Sequence, residues 1–320
     1  MRPARVVALG GGHGLAVSLT ALTSVTPELT AVVTVADDGG SSGRLREELQ
    51  ALPPGDLRMA LAALAGPDAW SQTWAELLQH RYGGGGPLAG HAVGNLLLAA
   101  LAETSGVVEA LDLVGRLVGA RGRVLPASCV PLQIVAEVLG HDSAYPDEVS
   151  EVVGQVAVAS TGGTVSALHL RPADPPACAE AVQAVLDADV VVLGPGSWFT
   201  SVLTHLLVPE LRAALAKTEA VRVVALNLAP QAGETDGFSP EAHLEVLAAH
   251  APELQVDVVL ADRAAVLDPR GLMGVVESAG GRLVLAPVAL GDGTPRHHPR
   301  RLAEAYAAIV DDLGRGRAWQ

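Results

Sequence analysis

Two glycine-rich turns carry the plainest chemistry in this chain. In the first, Val6-Val7-Ala8-Leu9 runs into Gly10-Gly11-Gly12-His13-Gly14 and then into a stretch of helical composition. A strand that turns through glycine into a helix leaves the first helical N–H groups without acceptors, where the macrodipole also favours negative charge; this is a phosphate site. Gly10, Gly12 and Gly14 fall as G-x-G-x-G, so the match is to the physics of the dinucleotide fingerprint rather than to its G-x-G-x-x-G spacing. The second turn, Gly194-Pro195-Gly196-Ser197, follows the apolar run Asp189–Leu193, and Thr200 and Ser201 add hydroxyl donors just beyond it. A serine nucleophile at Ser197 is the competing chemistry, but G-P-G-S-W is not the G-x-S-x-G elbow and no acid–histidine sequence follows.

Between these turns stands Asp37-Asp38-Gly39-Gly40-Ser41-Ser42-Gly43-Arg44-Leu45-Arg46. Its distance from Gly14 is close to that at which a Rossmann domain places its ribose-binding acid. The acid is doubled, however, and a Gly/Ser loop able to form a nest of N–H groups follows, with Arg44 or Arg46 able to grip an anion bidentately. Pro53-Pro54-Gly55-Asp56-Leu57-Arg58 reads as a helix start with Asp56 as its cap. His91 and Asn95 lie one helical turn apart and share a face. Asn227, Gln231, Glu234 and Thr235 follow the run Val221–Leu226, at the strand end that faces the ligand crevice in open α/β sheets.

The elements that must position these groups alternate between short β-branched runs and Ala/Leu-rich helices. That alternation predicts an α/β, Rossmann-like doubly wound fold with a mainly parallel sheet. From residue 141 to about 176 the rhythm changes: Val149–Val158 and Thr164–Leu170 alternate around Ser160-Thr161-Gly162-Gly163, predicting an inserted antiparallel β-hairpin subdomain. The tract Gly83–Gly86 reads as a flexible loop.

The 320 residues are 49% hydrophobic but only 3% aromatic, so Ala, Val and Leu must build the core. A formal net charge of −14 argues against nucleic acid as a partner, because that affinity comes from Lys and Arg neutralising phosphates. Cys129 and Cys178 have no metal or redox spacing, which points to a reduced, cytoplasmic compartment. No membrane-length apolar span is present, and the first residues pass straight into a strand without a signal region. His297 and His298 lack carboxylate or cysteine company at ligand spacing, so no metal site is expected there.

Taken in order, the two glycine turns, Asp37–Arg44, Pro53–Arg58, Gly90-His91-x-x-Gly94-Asn95-Leu96 and Gln231-x-Gly233-Glu234-Thr235 resemble the gluconeogenesis factors, the YvcK/GlmR group. These belong to the CofD-like superfamily, which includes 2-phospho-L-lactate transferase. The resemblance spans nearly the whole chain and implies a single CofD-like domain over residues 1–320. It also implies binding of UDP-N-acetylglucosamine, coordination of gluconeogenic carbon metabolism with peptidoglycan precursor supply and cell shape, glucosamine-6-phosphate synthase as a protein partner, and a homodimer. Arg296 matches an arginine of the family's C-terminal motif, with His298 in place of its acid; His13 and His205 are departures from the common pattern.

On this reading the ligand's pyrophosphate lies on Gly11, Gly12, His13 and Gly14 and on Gly194, Gly196, Ser197 and Thr200. Arg44 or Arg296 adds charge, and Asp37 or Asn227 meets ribose or base. Ser41, Ser42, Asn95, Gln231, Glu234 and Thr235 complete the candidate set. Two alternatives stay open. One is a transferase in which Asp37 and Asp38 hold Mg²⁺ at a transferring phosphate. The other is an NAD-binding oxidoreductase, which requires a catalytic His or Lys and a separate substrate domain that the sequence does not display.

Overall fold

Val6–Gly10 (β1) is buried at every residue, as a parallel strand covered on both faces must be. The computed structural model describes residues 2–231 and 233–314. After β1 come Gly12–Leu22 (α1) and Leu29–Val33 (β2), then Gly40–Leu49 (α2), Gly55–Leu64 (α3), Ala69–Gln79 (α4), Val93–Ser105 (α5) and Val107–Leu117 (α6). Arg123–Pro126 (β3) leads into Gln133–Leu139 (β4), Val149–Val153 (β5), Gln155–Ala159 (α7) and Thr164–Arg171 (β6). The α/β rhythm resumes with Ala179–Leu186 (α8), Val190–Leu193 (β7), Pro209–Lys217 (α9), Val221–Ala225 (β8), Pro240–His250 (α10) and Val258–Asp262 (β9). Pro269–Ser278 (α11), Arg282–Ala286 (β10) and Pro299–Gly314 (α12) complete it.

Seven strands form one sheet in the order β10-β9-β8-β7-β1-β2-β3, with every neighbouring pair parallel. Renumbered by chain order within this sheet, the order is 3-2-1-4-5-6-7, the Rossmann order with one further strand. The winding reverses between β1 and β7. Open α/β sheets bind ligands in the crevice outside the carboxyl ends of the strands at such a reversal, and both glycine turns lie there. The expected doubly wound α/β class is therefore what the chain adopts.

Helix α1 crosses this sheet between α3 and α12, and Ser18 Oγ meets Tyr306 Oη at 2.9 Å in the interior. His205 is a core residue, its Nε2 placed 3.1 Å from the Val32 carbonyl oxygen of β2. Burial pushes its pKa down to about 4, so it is neutral there and donates from Nε2.

The antiparallel region differs from a simple hairpin. β5 and β6 do not pair with each other; each flanks β4, which starts at Gln133, ahead of the region expected from residue 141. The run expected to continue strand through Val158 turns helical after Val153. Gly154 adopts φ of +105°, and the carboxylate of Asp38 accepts the Val156 N–H at 3.0 Å, capping α7. No helix among the described residues is long and apolar enough to cross a membrane.

Candidate functional site

The turns after β1 and β7 are in direct contact, and glycine is what permits it. A Cβ on Gly14 would overlap the Pro195 carbonyl oxygen and stand 2.6 Å from Gly196 Cα. A Cβ on Gly11 would lie 2.5 Å from Asp56 Oδ2 and 2.7 Å from Thr34 Cγ2. The start of α3 therefore packs against the first turn. The start of α2 joins them: Ser42 Oγ accepts the Gly55 N–H at 3.0 Å, and a Cβ on Gly55 would be 2.7 Å from Asp37 Oδ2. Three helix N-termini thus meet at the reversal point of the sheet, each contributing first-turn amides without intrahelical acceptors. His13, in the first of these turns, is exposed.

Two charged side chains of α3 line this junction that sequence reasoning did not assign to it. Pro54, not Asp56, occupies the cap position, and Asp56 is buried within the first turn. Burial raises its pKa to about 7, with the neighbouring Asp37 carboxylate adding to the rise, and the Gly12 amide and Arg58 opposing it. Its Oδ2 has no partner. Arg58 is buried beside it; burial first, then Arg81, lowers its pKa to about 10, and it donates to Gln79. The available signal was composition: these are the only charged residues in the otherwise apolar run Gly55–Leu64, and such charges are buried only for a reason.

Asp37, Ser41, Asp56, Arg58, Arg81 and Asn95 line a cavity of about 250 Å³ between α2, α3 and α5. Asn95 Nδ2 donates to Ser41 Oγ at 2.9 Å, and the same oxygen is 2.9 Å from His91 Nδ1. Burial lowers the pKa of His91, with Arg44 adding to the effect. A neutral imidazole accepting from Ser41 completes that chain and leaves Asn95 Oδ1 without a partner.

The turn after β7 is arranged differently from the first. No regular helix follows it at once; Trp198–Val202 forms a π-helical turn and Leu203–Leu207 a 3₁₀ turn. The Glu234 carboxylate sits on this start, accepting from Phe199 N at 2.9 Å, Thr200 N at 3.1 Å and Ser197 Oγ at 2.5 Å. Asn227 brackets Gly196, its Oδ1 accepting the glycine N–H at 3.0 Å and its Nδ2 donating to the glycine carbonyl at 2.8 Å. Thr235 Oγ1 accepts the Gln231 N–H at 2.8 Å, holding the loop that presents Glu234. The expected anion-binding amides of Gly196, Phe199 and Thr200 are thus satisfied internally, and Gly194 is buried beneath them.

Other expected site residues are committed elsewhere. Arg44 donates to the carbonyls of Pro87 at 3.2 Å and Ala89 at 2.7 Å, fastening the glycine-rich loop, and Arg46 donates to Leu132 O at 2.6 Å. Asp37 and Asp38 diverge: Asp37 Oδ1 accepts the Gly39 N–H at 2.9 Å, while Asp38 caps α7. The carboxylate facing Asp37 across the site belongs to Asp56. Arg296 is exposed, beyond edge strand β10, in an ion pair with Asp292 at 2.8 Å. Neighbouring His297 reaches the Leu226 backbone at the end of β8. A second cavity of about 420 Å³ opens beyond β8 and β9, lined by Leu228, Phe238, Val266 and Leu267 together with Asn227 and His243. Among the described residues no group of three or more His, Cys, Asp or Glu side chains could hold a metal ion.

A family model described as 2-phospho-L-lactate transferase CofD matches residues 6–272. A Mycobacterium tuberculosis relative is 53% identical over 96% of this chain and 90% of its own length. The gluconeogenesis factor of Listeria monocytogenes is 36% identical over 96% of this chain and 95% of its own length. A crystal structure of a upf0052-family protein from Bacillus halodurans superposes with a TM-score of 0.84 at 33% identity, covering 95% of this chain and 99% of that one.

Proposed function

This chain belongs to the CofD family, among its gluconeogenesis factors, and from that premise we propose that it is a nucleotide-sugar-binding regulatory protein. Its ligand on this reading is UDP-N-acetylglucosamine. Its role is to link gluconeogenic carbon metabolism to peptidoglycan precursor supply and cell shape, as a cytoplasmic homodimer acting on glucosamine-6-phosphate synthase. The observation that carries the binding reading is the meeting of the α1, α2 and α3 N-termini at the reversal point of the sheet, with Gly11 and Gly14 in close contact with their surroundings. A diphosphate is the group such a junction favours.

The first turn is the phosphate cradle in this reading, since the second has its amides occupied by Glu234 and Asn227. The apolar cavity beyond β8 and β9 suits the base, with Asn227 among its lining residues. Calorimetric titration with UDP-N-acetylglucosamine and with NAD tests the proposal. Heat from the nucleotide sugar and none from NAD supports it; tight NAD binding without a response to the nucleotide sugar overturns it.

One observation favours a second reading, a Mg²⁺-dependent transferase. The Asp37 carboxylate stands close enough to Asp56 to help raise its pKa, and Asp56 Oδ2 is unpartnered. Those two carboxylates, rather than Asp37 and Asp38, fit a Mg²⁺ ion that would complete its shell with phosphate oxygens and neutralise their charge. Metal-dependent turnover of a pyrophosphate donor, abolished by Asp56→Asn, would select this reading.

A further inference from the structure

Cys129 and Cys178, the chain's two cysteines, stand too far apart in sequence for any redox motif, and the fold brings them together. Cys129 lies where the chain leaves β3 for the small sheet of β4, β5 and β6; Cys178 lies where it returns from that sheet to α8. The outgoing and returning segments are stitched to each other at this neck. Ser128 forms an antiparallel bridge with Ala177, the Cys178 N–H donates to the Ala127 carbonyl at 3.2 Å, and Ser128 Oγ donates to the Pro176 carbonyl at 2.7 Å. Each cysteine follows a bridge partner, which turns both side chains to one face of the pair. There the two thiols come within hydrogen-bonding reach of each other.

Their surroundings differ in the way a disulfide-forming pair requires. Cys129 is exposed, and the hydrogen bond from Cys178 favours its thiolate, with partial desolvation and the Glu180 carboxylate opposing. Cys178 is buried, and its contact with Cys129 and its burial both keep it a thiol. Its Sγ donates to Glu180 Oε2 at 3.3 Å, so a carboxylate is in place to take its proton. An accessible thiolate beside a protected second thiol is the arrangement that oxidises selectively.

We propose that Cys129 and Cys178 form a reversible disulfide that clasps the neck of the small antiparallel sheet. With hydrogen peroxide as the oxidant, the Cys129 thiolate attacks one peroxide oxygen; the S–O bond forms, the O–O bond breaks, and the departing hydroxide takes a proton to leave as water. The Cys178 sulfur then attacks the Cys129 sulfur. Its thiol proton passes to Glu180 and on to the hydroxide displaced from sulfur, which leaves as a second water. The sulfurs lose the electron pair that the peroxide gains. A dithiol reductant reverses the bond by exchange. The outgoing segment is also fastened to the run that leads into Asp37, through Ala127 N–H on the Val33 carbonyl at 2.7 Å and Leu132 N–H on the Val35 carbonyl at 3.2 Å. The clasp therefore fixes the small sheet against the β2 side of the candidate site.

The test treats the reduced full-length chain with near-stoichiometric hydrogen peroxide and reads intact mass, non-reducing peptide maps and thermal unfolding. Wild type should lose the mass of the two thiol hydrogens, yield peptides joined through Cys129 and Cys178, and recover both thiols in dithiothreitol. Its unfolding midpoint should rise by about 3–6 °C on oxidation, the effect of closing a loop of this length. In Cys178→Ser, Cys129 should take up oxygen instead; in Cys129→Ser, the buried Cys178 should stay reduced. Both thiols retained, oxygen uptake by wild type without loss of hydrogen, or disulfides only between chains would each overturn the proposal. So would a disulfide that leaves the midpoint unchanged or lowers it, since the bond would then not clasp the neck. None of these outcomes bears on the nucleotide-sugar reading, which is tested separately.

Discussion

Glu234 and Ser197, 37 residues apart in the chain, meet at 2.5 Å over the start of the π-helical turn, where the carboxylate also takes the amides of Phe199 and Thr200. An internal side chain thus occupies the place where a phosphate would bind in an unmodified strand–turn–helix. Burial raises the Glu234 pKa, and its hydrogen bonds from Ser197, Thr200 and Phe199 oppose the rise. Glu234→Ala would leave the Phe199 amide buried without an acceptor and the Thr200 amide with Ser197 Oγ alone. Denaturant unfolding should register a loss of about 1–3 kcal/mol. Inorganic phosphate should stabilise the variant more than wild type, because an anion can then take the carboxylate's place on the Phe199 amide and the Ser197 hydroxyl.

The contact between the two glycine turns makes a second, contrasting pair of expectations. At Gly14 the obstacle to a side chain is backbone, the Pro195 carbonyl and Gly196 Cα, which cannot swing aside as a side chain can. Gly12 is held at φ of +59° with nothing within 4 Å of its would-be Cβ. Gly12→Ala should therefore cost only the left-handed backbone penalty of about 1–2 kcal/mol. Gly14→Ala should cost more, since it must separate β1 from β7 at their carboxyl ends. Thermal unfolding of the two variants side by side checks the order; a reversed order would sink the close-approach argument.

The strands that position the site are legible in the sequence because parallel strands buried on both faces are continuous apolar runs: β1, β7 and β8 each stand out between turns. The glycine turns are equally legible. What sequence spacing does not reveal is which partner each polar group takes. Arg44 lies next to a Gly/Ser nest in sequence, yet its guanidinium spans to Pro87 and Ala89. Asp56 looks like a cap, yet a proline holds that position and the carboxylate turns inward. β4 escapes notice because it follows β3 after only a short loop, without the punctuation that isolates the other runs, and it pairs on both edges with later strands. These are long-range pairings, and local pattern carries no information about them.

The separation of Asp37 from Asp38 predicts separable consequences. Asp38 serves the Val156 amide, so Asp38→Ala should cost about 1 kcal/mol, the usual worth of a helix cap. It should leave the affinity for Mg²⁺–UDP unchanged. Asp37 faces Asp56 at the junction of α2 and α3, so Asp37→Ala should weaken Mg²⁺–UDP binding if the ion lodges between these carboxylates. Titration calorimetry on the two variants distinguishes the roles, and a binding defect in Asp38→Ala would contradict the capping assignment.

Asp56 should leave a signature in the pH dependence of stability. Its pKa rises from 3.8 to about 7 on folding, chiefly through burial. Between those values the folded chain binds more protons at this site than the unfolded chain, so stability must fall as pH rises through the window. Below about pH 4 the carboxyl is protonated in both states and the stabilisation is fully present; above about pH 7 it is gone. At 1.36 kcal/mol per unit the full span corresponds to about 4 kcal/mol. Asp56→Asn abolishes that titration. In urea unfolding of the ligand-free protein, wild type should lose stability relative to Asp56→Asn as pH climbs from 4 to 7, and the variant should be the more stable of the two at pH 7.5. A wild-type curve that runs parallel to the variant across this window would mean that Asp56 stays ionised in the folded chain, held by a charge other than Arg58. Where the wild-type curve falls as expected, added Mg²⁺ should flatten its slope only if the ion binds the ionised Asp37–Asp56 pair, which ties the pH profile directly to the choice between regulator and transferase.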